Sequence, residues 1–145
     1  MTCVENIVFT DSNLSTVDKL LVKSGNTLVV NILIAEDEAR IATFIEKGLR
    51  KAGYTTQIAT DGHEAIALAP QCDLILLDIG LPGVDGWTVL KELGAQSSGV
   101  PVIVVTALDN AEERDRSLAL GADDFISKPF RFKQLLACIR HHIQH

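Results

Sequence analysis

A continuous apolar run, residues 74–77, ends in one carboxylate, Asp78, and then breaks into a loop rich in glycine and proline. A run of this length bounded by turn residues is typical of a buried β-strand. Because a carboxylate beside Leu77 and Ile79 is costly to bury, Asp78 must either reach solvent at the edge of a sheet or meet a cation. The sequence therefore places a charged group at the end of a strand.

Other strand-like segments along the chain also end in polar side chains, which are in order Glu36 with Asp37, Thr106, and Lys128. In an open parallel sheet the carboxyl ends of the strands lie on one side, where ligands of such folds bind. We therefore expect two acids, a hydroxyl and a lysine to converge on Asp78.

Three carboxylates at neighbouring strand ends repel one another, by up to about 4 kcal/mol per pair at 4 Å in an effective dielectric of 20. Such a cluster favours a divalent cation. Because the donors are all oxygens, the expected metal is Mg²⁺, bound through one or two carboxylates, water and a backbone carbonyl such as that of Gly80.

A bound metal attracts a phosphate group, and a carboxylate such as Asp78 is then a candidate nucleophile that forms an aspartyl-phosphate. We expect Lys128 to act as a point charge on one phosphoryl oxygen and the Thr106 hydroxyl to donate to another.

Each of these residues also has an ordinary structural interpretation. Asp78 could be a simple strand-end carboxylate, and Glu36 with Asp37 could cap the following helix. Thr106 could be a turn residue and Lys128 a solvated loop lysine. Their joint placement at four predicted strand ends favours a site.

The chain alternates strands and helices five times, and the first strand is expected over residues 28–35. Helical spacing marks two apolar faces, one with Ile41, Phe44, Ile45, Gly48, Leu49 and Ala52, the other with Phe132, Leu135, Leu136, Ile139 and Ile143.

Residues 54–59 are a partly polar strand, which indicates an edge position. Two pairs have the capping-box spacing that opens a helix, namely Asp61 with Glu64 and Asp109 with Glu112. This alternation implies an α/β fold with right-handed crossovers and a parallel sheet covered on both faces.

The 145-residue chain is predicted to form one domain over residues 29–145, after a leader of residues 1–28. We expect the leader to be mobile or weakly ordered, with a docking helix as the alternative. The net charge of −6 argues against a nucleic-acid surface. No apolar run approaches the roughly 20 residues that span a membrane, and the start lacks a signal peptide's basic residues, so a cytoplasmic location is expected.

Three cysteines, Cys3, Cys72 and Cys138, share no metal-ligand spacing and are expected to be reduced packing residues. The histidines His141, His142 and His145 could indicate metal binding. The preferred interpretation is that they lie at a helix end, where partial protonation complements the helix dipole.

Four segments in order carry a resemblance to a known family, namely residues 32–38 (ILIAEDE), 76–86 (LLDIGLPGVDG), 104–107 (VVTA) and 121–130 (GADDFISKPF). Over about residues 30–145 the chain resembles the receiver domain of two-component response regulators, most of all that of the winged-helix class of transcription regulators.

The resemblance implies a doubly wound five-stranded parallel sheet of order 2-1-3-4-5, a flavodoxin-like three-layer sandwich. It also implies that Asp78 accepts a phosphoryl group from a histidine kinase or a histidine phosphotransfer protein. The implied Mg²⁺ ligands are Glu36, Asp37, Asp78 and the Gly80 carbonyl. Thr106 and Phe125 match the family's switch pair, although Phe125 could equally be a core aromatic.

Two positions depart from the family pattern. Gln134 and Cys138 stand where Glu and Arg would form charged pairs across a homodimer of the fourth and fifth helices. Those pairs cannot form here in the usual way, which argues against that dimer.

The leading hypothesis is a signalling domain that is not an enzyme in the usual sense, although it assists its own phosphorylation and slow dephosphorylation. One alternative is a Mg²⁺-dependent phosphohydrolase with Asp78 as covalent nucleophile. Such enzymes commonly carry a second acid two residues later, where this chain has Gly80. Another alternative is a binding module that works without phosphorylation.

Overall fold

The computed structural model describes residues 29–96, 99–107 and 110–143. The predicted leader, residues 1–28, lies outside the described residues. The strands are β1 (Asn31–Ala35), β2 (Thr55–Ala59), β3 (Leu74–Leu77), β4 (Val102–Thr106) and β5 (Asp124–Ser127). The helices are α1 (Ala39–Lys51), α2 (Gly62–Leu68), α3 (Gly86–Ala95), α4 (Ala111–Ala119) and α5 (Phe132–Ile143), and a 3₁₀ turn (Ala69–Gln71) follows α2.

All five strands are parallel and lie in the order β2-β1-β3-β4-β5, as the resemblance implied. The partly polar strand β2 lies at one edge, and of its residues only Ala59 is fully buried. β3 lies in the middle of the sheet and all its residues are buried. The predicted positions of both strands are therefore confirmed.

Two apolar clusters cover the two faces of the sheet and give three layers. On one face, alternate strand residues pack against Ala42, Ile45 and Leu49 of α1 and against Leu135 and Ile139 of α5. On the other face, the remaining strand residues pack against α2 and α3, with Ala65, Val89, Leu90 and Leu93 among the buried contacts. Since neighbouring strand residues point to opposite faces, each strand contributes to both clusters.

Two predicted boundaries were wrong. β1 begins at Asn31, after residues 29 and 30, which the predicted strand included. The residue that caps α4 is Asn110, whose Oδ1 accepts a hydrogen bond of 2.8 Å from the backbone N–H of Glu113. The sequence offers two adjacent capping residues, Asp109 and Asn110, each with a glutamate three positions later, so spacing alone could not choose between them.

The cap of α2 agrees with the prediction. Asp61 Oδ1 accepts from the backbone N–H of Glu64 at 2.8 Å, and Glu64 Oε1 accepts from the backbone N–H of Thr60, also at 2.8 Å. The side chains of Asp61 and Glu64 therefore each accept a hydrogen bond from a backbone N–H at the start of α2.

Phe44 lies on the predicted apolar face of α1 but is not buried, because the residue is 51% exposed. Its ring lies beside those of Phe130 and Phe132, with centroids 6.3 Å and 6.1 Å away. The Phe132 ring reaches α1 because Gly48 has no side chain, and a Cβ built at Gly48 would overlap that ring. The contact between α1 and α5 thus depends on a glycine inside a helix.

Gly48 and Gly94 form a matched pair for testing this contact. We expect Gly48→Ala to lower the free energy of unfolding by about 1–2 kcal/mol, because overpacking against Phe132 exceeds the gain in helix propensity. A Cβ at Gly94 meets its nearest heavy atom, the Leu120 carbonyl oxygen, only at 3.7 Å, so Gly94→Ala should leave stability unchanged or raise it by up to about 1 kcal/mol. Urea unfolding measures both values, and equal effects of the two substitutions would contradict the packing argument.

Candidate functional site

The carboxyl ends of four strands bring the predicted site residues to one place. Glu36 and Asp37 follow β1, Asp78 follows β3, Thr106 ends β4, and Lys128 follows β5. β1 and β3 are direct neighbours, with Ala35 opposite Leu77, because the chain reverses its order of strand addition between them. Such a reversal leaves a crevice beyond the strand ends, and that crevice is where doubly wound sheets bind ligands.

Lys128 joins two of the carboxylates. Its Nζ lies 2.7 Å from Glu36 Oε1 and 3.1 Å from Asp78 Oδ2. All three side chains are largely buried, with exposed fractions of 12% for Lys128, 4% for Glu36 and 11% for Asp78. The backbone N–H of Lys128 donates to the Thr106 carbonyl at 2.8 Å, which fixes the lysine at the end of the sheet. The lysine therefore lies on the same side of the sheet as Asp78.

Burial and neighbouring charges shift the pKa values of Glu36 and Lys128. Burial is the main cause that raises the pKa of Glu36, and the negative charge of Asp78 adds to it, against hydrogen bonds from Lys128 and from the backbone of Glu38. Burial alone would lower the pKa of Lys128, but the hydrogen bonds and charges of Glu36 and Asp78 outweigh it and raise that pKa. Lys128 is therefore firmly protonated at neutral pH.

The loop after β3 holds the second oxygen of Asp78. Its Oδ1 accepts a hydrogen bond of 3.0 Å from the backbone N–H of Gly80. Further along, the backbone N–H of Gly86 donates to the Ile79 carbonyl at 3.1 Å, and a Cβ at Gly86 would overlap the Ile79 backbone. Glycine at position 86 therefore lets the loop close tightly behind Asp78 and so orients the carboxylate.

Glu36, Asp37 and Asp78 fit a hard divalent cation. Each offers a carboxylate oxygen, and these atoms lie within 4.8 Å of one another. Asp37 is exposed, whereas the other two are buried, so the group opens to solvent on one side. An all-oxygen donor set with room for water is the arrangement that Mg²⁺ prefers.

Thr106 and Phe125 lie on neighbouring strands and face the same side of the sheet. Thr106 is 1% exposed and lies opposite Ser127, whereas Phe125 lies opposite Val104. Since side chains alternate along a strand, Thr106 and Val104 share a face, and the partly buried Phe125 packs against the cluster to which Val104 belongs. The Arg114 guanidinium carbon lies 5.1 Å from the centroid of the Phe125 ring.

Sequence reasoning missed two contributors to this region. The backbone N–H of Glu38 donates to Glu36 Oε2 at 3.1 Å, and Glu38 Oε1 lies 3.8 Å from Lys128 Nζ. The run of three acids at positions 36–38 was the available signal. Arg114 lies on the mostly polar helix α4, and nothing in the sequence linked it to the Phe125 ring.

The two described cysteines are free, and Cys72 is buried as predicted. Burial is the main cause that raises the pKa of Cys72 to about 11, and the charge of Asp73 adds to it. Cys138 is partly exposed and makes a polar contact that the packing interpretation did not include. None of the described helices is both long and apolar enough to cross a membrane.

Comparison with known proteins identifies the family of this chain. The family model for the response regulator receiver domain matches residues 32–140. The transcriptional regulatory protein CusR of Escherichia coli (strain K12) is 41% identical over 113 residues, which are 77% of this chain and 50% of CusR.

Solved receiver domains have the same fold. The receiver domain of the Francisella response regulator 1452 is 34% identical, with a TM-score of 0.75, over 79% of this chain and 97% of that one. The BeF3-activated N-terminal receiver domain of Klebsiella pneumoniae RstA is 35% identical, with a TM-score of 0.74, over 79% and 99%.

This chain therefore belongs to the receiver domain family of two-component response regulators. Its curated relatives include transcriptional regulators, in agreement with the class that the sequence resembled. The chain spans about half the length of the curated relatives it matches.

Substitution of Lys128 tests the electrostatics of the pocket in the absence of divalent metal. We expect Lys128→Met to lower the free energy of unfolding at pH 7 by about 3 kcal/mol, because it leaves Glu36 and Asp78 buried without their cation. Lys133→Met, at an exposed position of α5, is the control and should change stability by less than about 0.5 kcal/mol.

The effect of Lys128→Met on the free energy of unfolding should depend on pH. Since the pKa of Lys128 in the folded protein lies above its ordinary value of 10.5, its stabilisation is complete below pH 10.5 and is lost as the pH rises through the folded value. Urea unfolding across this range should show the difference between wild type and Lys128→Met shrinking above pH 10.5. A difference that stays constant at high pH would refute the charge pairing.

Proposed function

We propose that Asp78 accepts a phosphoryl group from a histidine kinase or a histidine phosphotransfer protein, and that the change of conformation that follows controls an output. The observation that carries this proposal is the position of Lys128, whose ammonium lies within 3.1 Å of Asp78 and 2.7 Å of Glu36. A lysine so placed holds the carboxylate that reacts and also presents a positive charge to an incoming phosphoryl oxygen.

The proposed transfer forms one bond and breaks one. A carboxylate oxygen of Asp78 bonds to phosphorus, while the bond between phosphorus and the donor's imidazole nitrogen breaks. The electron pair of that bond stays on the imidazole, which then takes a proton. Gly80 orients the Asp78 carboxylate through its backbone N–H, and Lys128 stabilises the negative charge on the phosphoryl oxygens.

Receiver domains use Mg²⁺, and the residues of this chain that would hold it are Glu36, Asp37, Asp78 and the Gly80 carbonyl. When bound, Mg²⁺ offsets the charge of the acids and of the phosphoryl group. Glu36 and Asp78 are held ready by Lys128, and Asp37 opens toward solvent. The ligand atoms of the three acids are close enough to bind one ion.

Thr106 and Phe125 are the proposed switch pair. Phosphorylation replaces a charge of −1 at Asp78 by about −1.5 to −2 and adds acceptor oxygens, which attract the Thr106 hydroxyl. Movement of Thr106 frees space on its face of the sheet, and Phe125 turns into that space and away from Arg114. A swing from 1:99 to 99:1 between the two states needs about 5.5 kcal/mol of differential contact.

The output we propose is control of transcription, as in the relatives named transcriptional regulators. The net charge of −6 supports a role for this domain that does not include direct binding of nucleic acid.

We propose that the phosphoryl transfer to Asp78 takes place in the cytoplasm. Pairing of two copies through α4 and α5 stays a prediction, and the missing charged residues at Gln134 and Cys138 argue against its usual form.

A signalling domain labels once, whereas a phosphohydrolase turns over. Position 80, where a covalent phosphohydrolase would carry its second acid, is glycine. We therefore propose a phosphoacceptor that assists its own slow dephosphorylation and has no steady turnover.

Labelling with a small phosphodonor tests the acceptor. With acetyl phosphate and Mg²⁺, we expect the intact mass to rise by one phosphoryl group, and Asp78→Asn to abolish this because the nucleophilic oxygen is lost. Asp61→Asn is the matched control, since Asn caps a helix as well as Asp, and it should label normally.

Absence of an adduct on the wild type, or an adduct that persists in Asp78→Asn, would contradict the proposal. Continuous release of phosphate from a phosphomonoester would instead support the phosphohydrolase alternative. Equal partner affinity with and without BeF₃⁻ would support a module that works without phosphorylation.

Asp37 tests the proposed metal ligands. We expect Asp37→Asn to weaken Mg²⁺ binding by about tenfold or more. Mutation of residues that only hydrogen-bond to the metal ligands already lowers metal affinity by about 10–100-fold, and loss of a ligand's charge should cost at least as much. Stability without metal should change by less than about 0.5 kcal/mol, since the side chain is exposed. Calorimetric titration with Mg²⁺ gives the affinity, and unchanged affinity would remove Asp37 from the ligand set.

A further inference from the structure

At the start of β5, the end opposite Lys128, three side chains with metal-binding atoms face one another. Asp124 is the first residue of β5, and Cys138 and His142 lie one turn apart in α5. Cys138 Sγ donates a hydrogen bond of 3.1 Å to Asp124 Oδ2, and His142 Nε2 lies 3.0 Å from the same oxygen. The three ligand atoms all lie within 4.8 Å of one another.

The cluster stands on rigid elements. Asp124 is paired with Ile103 of β4, and its Oδ1 accepts from the backbone N–H of Phe125 at 2.9 Å. The face of α5 that carries the core residues Leu135 and Ile139, both 0% exposed, fixes the helix against the sheet. His142 is 18% exposed and Asp124 44%, so solvent reaches one side of the cluster.

We propose that Asp124, Cys138 and His142 bind a divalent transition metal ion, with Zn²⁺ the best match to their donors. Sulfur, imidazole nitrogen and carboxylate oxygen together are typical ligands of Zn²⁺, whereas Mg²⁺ prefers oxygen alone. Water completes a tetrahedron on the exposed side.

Two of the three distances between ligand atoms need only small adjustment, and the third, from Cys138 Sγ to His142 Nε2, lies within 4.8 Å. Tetrahedral bonds of the usual lengths to zinc place ligand atoms about 3.4–3.6 Å apart. The contacts of Asp124 Oδ2 to Cys138 Sγ and to His142 Nε2, at 3.1 and 3.0 Å, are those of hydrogen bonds. Opening each by about half an ångström, within the reach of side-chain rotation, admits the ion.

The protons balance in this exchange. Burial, the hydrogen bond to Asp124 and the charge of Asp124 raise the pKa of Cys138 to about 12, so the free thiol holds its proton. Burial alone would raise the pKa of Asp124, but hydrogen bonds from His142, Cys138 and the Phe125 backbone lower it, so the carboxylate is charged. As the ion binds, the S–H bond breaks, the metal–sulfur bond forms, and the thiol proton leaves to solvent. The proton that His142 Nε2 donates to Asp124 also leaves that nitrogen, and the neutral ring carries its proton on Nδ1, so that the Nε2 lone pair binds the ion.

This cluster is separate from the acidic pocket. Lys128 follows the carboxyl end of β5 and Asp124 begins the strand. Four residues of strand separate the two by about 13 Å along its axis. Excess Mg²⁺ therefore occupies the acids of the pocket without competing for sulfur and nitrogen ligands.

Co²⁺ serves as a spectroscopic probe for zinc sites. All proteins in the test carry Cys3→Ser, so that Cys138 and Cys72 are the two remaining thiols. In excess Mg²⁺, we expect one equivalent of Co²⁺ to produce a thiolate-to-cobalt charge-transfer band and tetrahedral visible bands, both removed by Zn²⁺. Cys138→Ser should abolish the charge-transfer band, and Cys72→Ser should keep it.

The two neighbouring histidines give the second matched pair. His142→Gln should weaken Co²⁺ binding by about tenfold or more, whereas His141→Gln, at an exposed position, should bind as before. Circular dichroism and acetyl phosphate labelling of Asp78 show that each variant is folded.

The proposal is overturned if the parent protein gives no charge-transfer band, or if the band persists in Cys138→Ser. It is also overturned if His141→Gln and His142→Gln lose the same affinity. The first two outcomes leave the three residues as a hydrogen-bonded contact between α5 and β5, and the third removes His142 from the ligand set.

Discussion

The ammonium of Lys128 between two buried carboxylates is the interaction on which the site depends. Glu36 and Asp78 come from different strands and would repel each other at the low exposure they have here. The Lys128 side chain contacts both, and its backbone N–H donates to Thr106 of β4, so this residue connects the ends of β1, β3 and β4 to that of β5. The pocket thus holds two buried carboxylates beside one cation, at the ends of neighbouring strands.

The apolar sheet allows this concentration of charge at its end. Residues of β1, β3 and β4 are almost fully buried on both faces, which fixes the strand ends relative to one another. Glu36 and Asp78 directly follow β1 and β3, so the sheet fixes the positions of their backbones. Where a loop does contribute, after Asp78, the close approach of Gly86 to Ile79 and the N–H of Gly80 hold it in place.

β5 connects two chemically different regions over four residues. The carboxyl end of β5 leads to Lys128. The first residue of the strand, Asp124, faces the thiol of Cys138 and the imidazole of His142 in α5. Phe125 lies in the strand between Asp124 and Lys128. The Cys138 thiol donates to Asp124 Oδ2 at 3.1 Å, so that this carboxylate has a partner within its own domain.

The sequence by itself determined the alternation of strands and helices, the edge position of β2 and the acids at the strand ends, because these follow from local periodicity and turn residues. The sequence predicted that Lys128 converges on Asp78, but only the tertiary structure decided which oxygens its ammonium contacts, since those contacts join residues 92 and 50 positions apart. It also decided that Asn110 caps α4, that Phe132 covers Gly48, and that Asp124 meets Cys138 and His142. Contacts between distant segments depend on how helices pack on the sheet, and no local pattern carries that information.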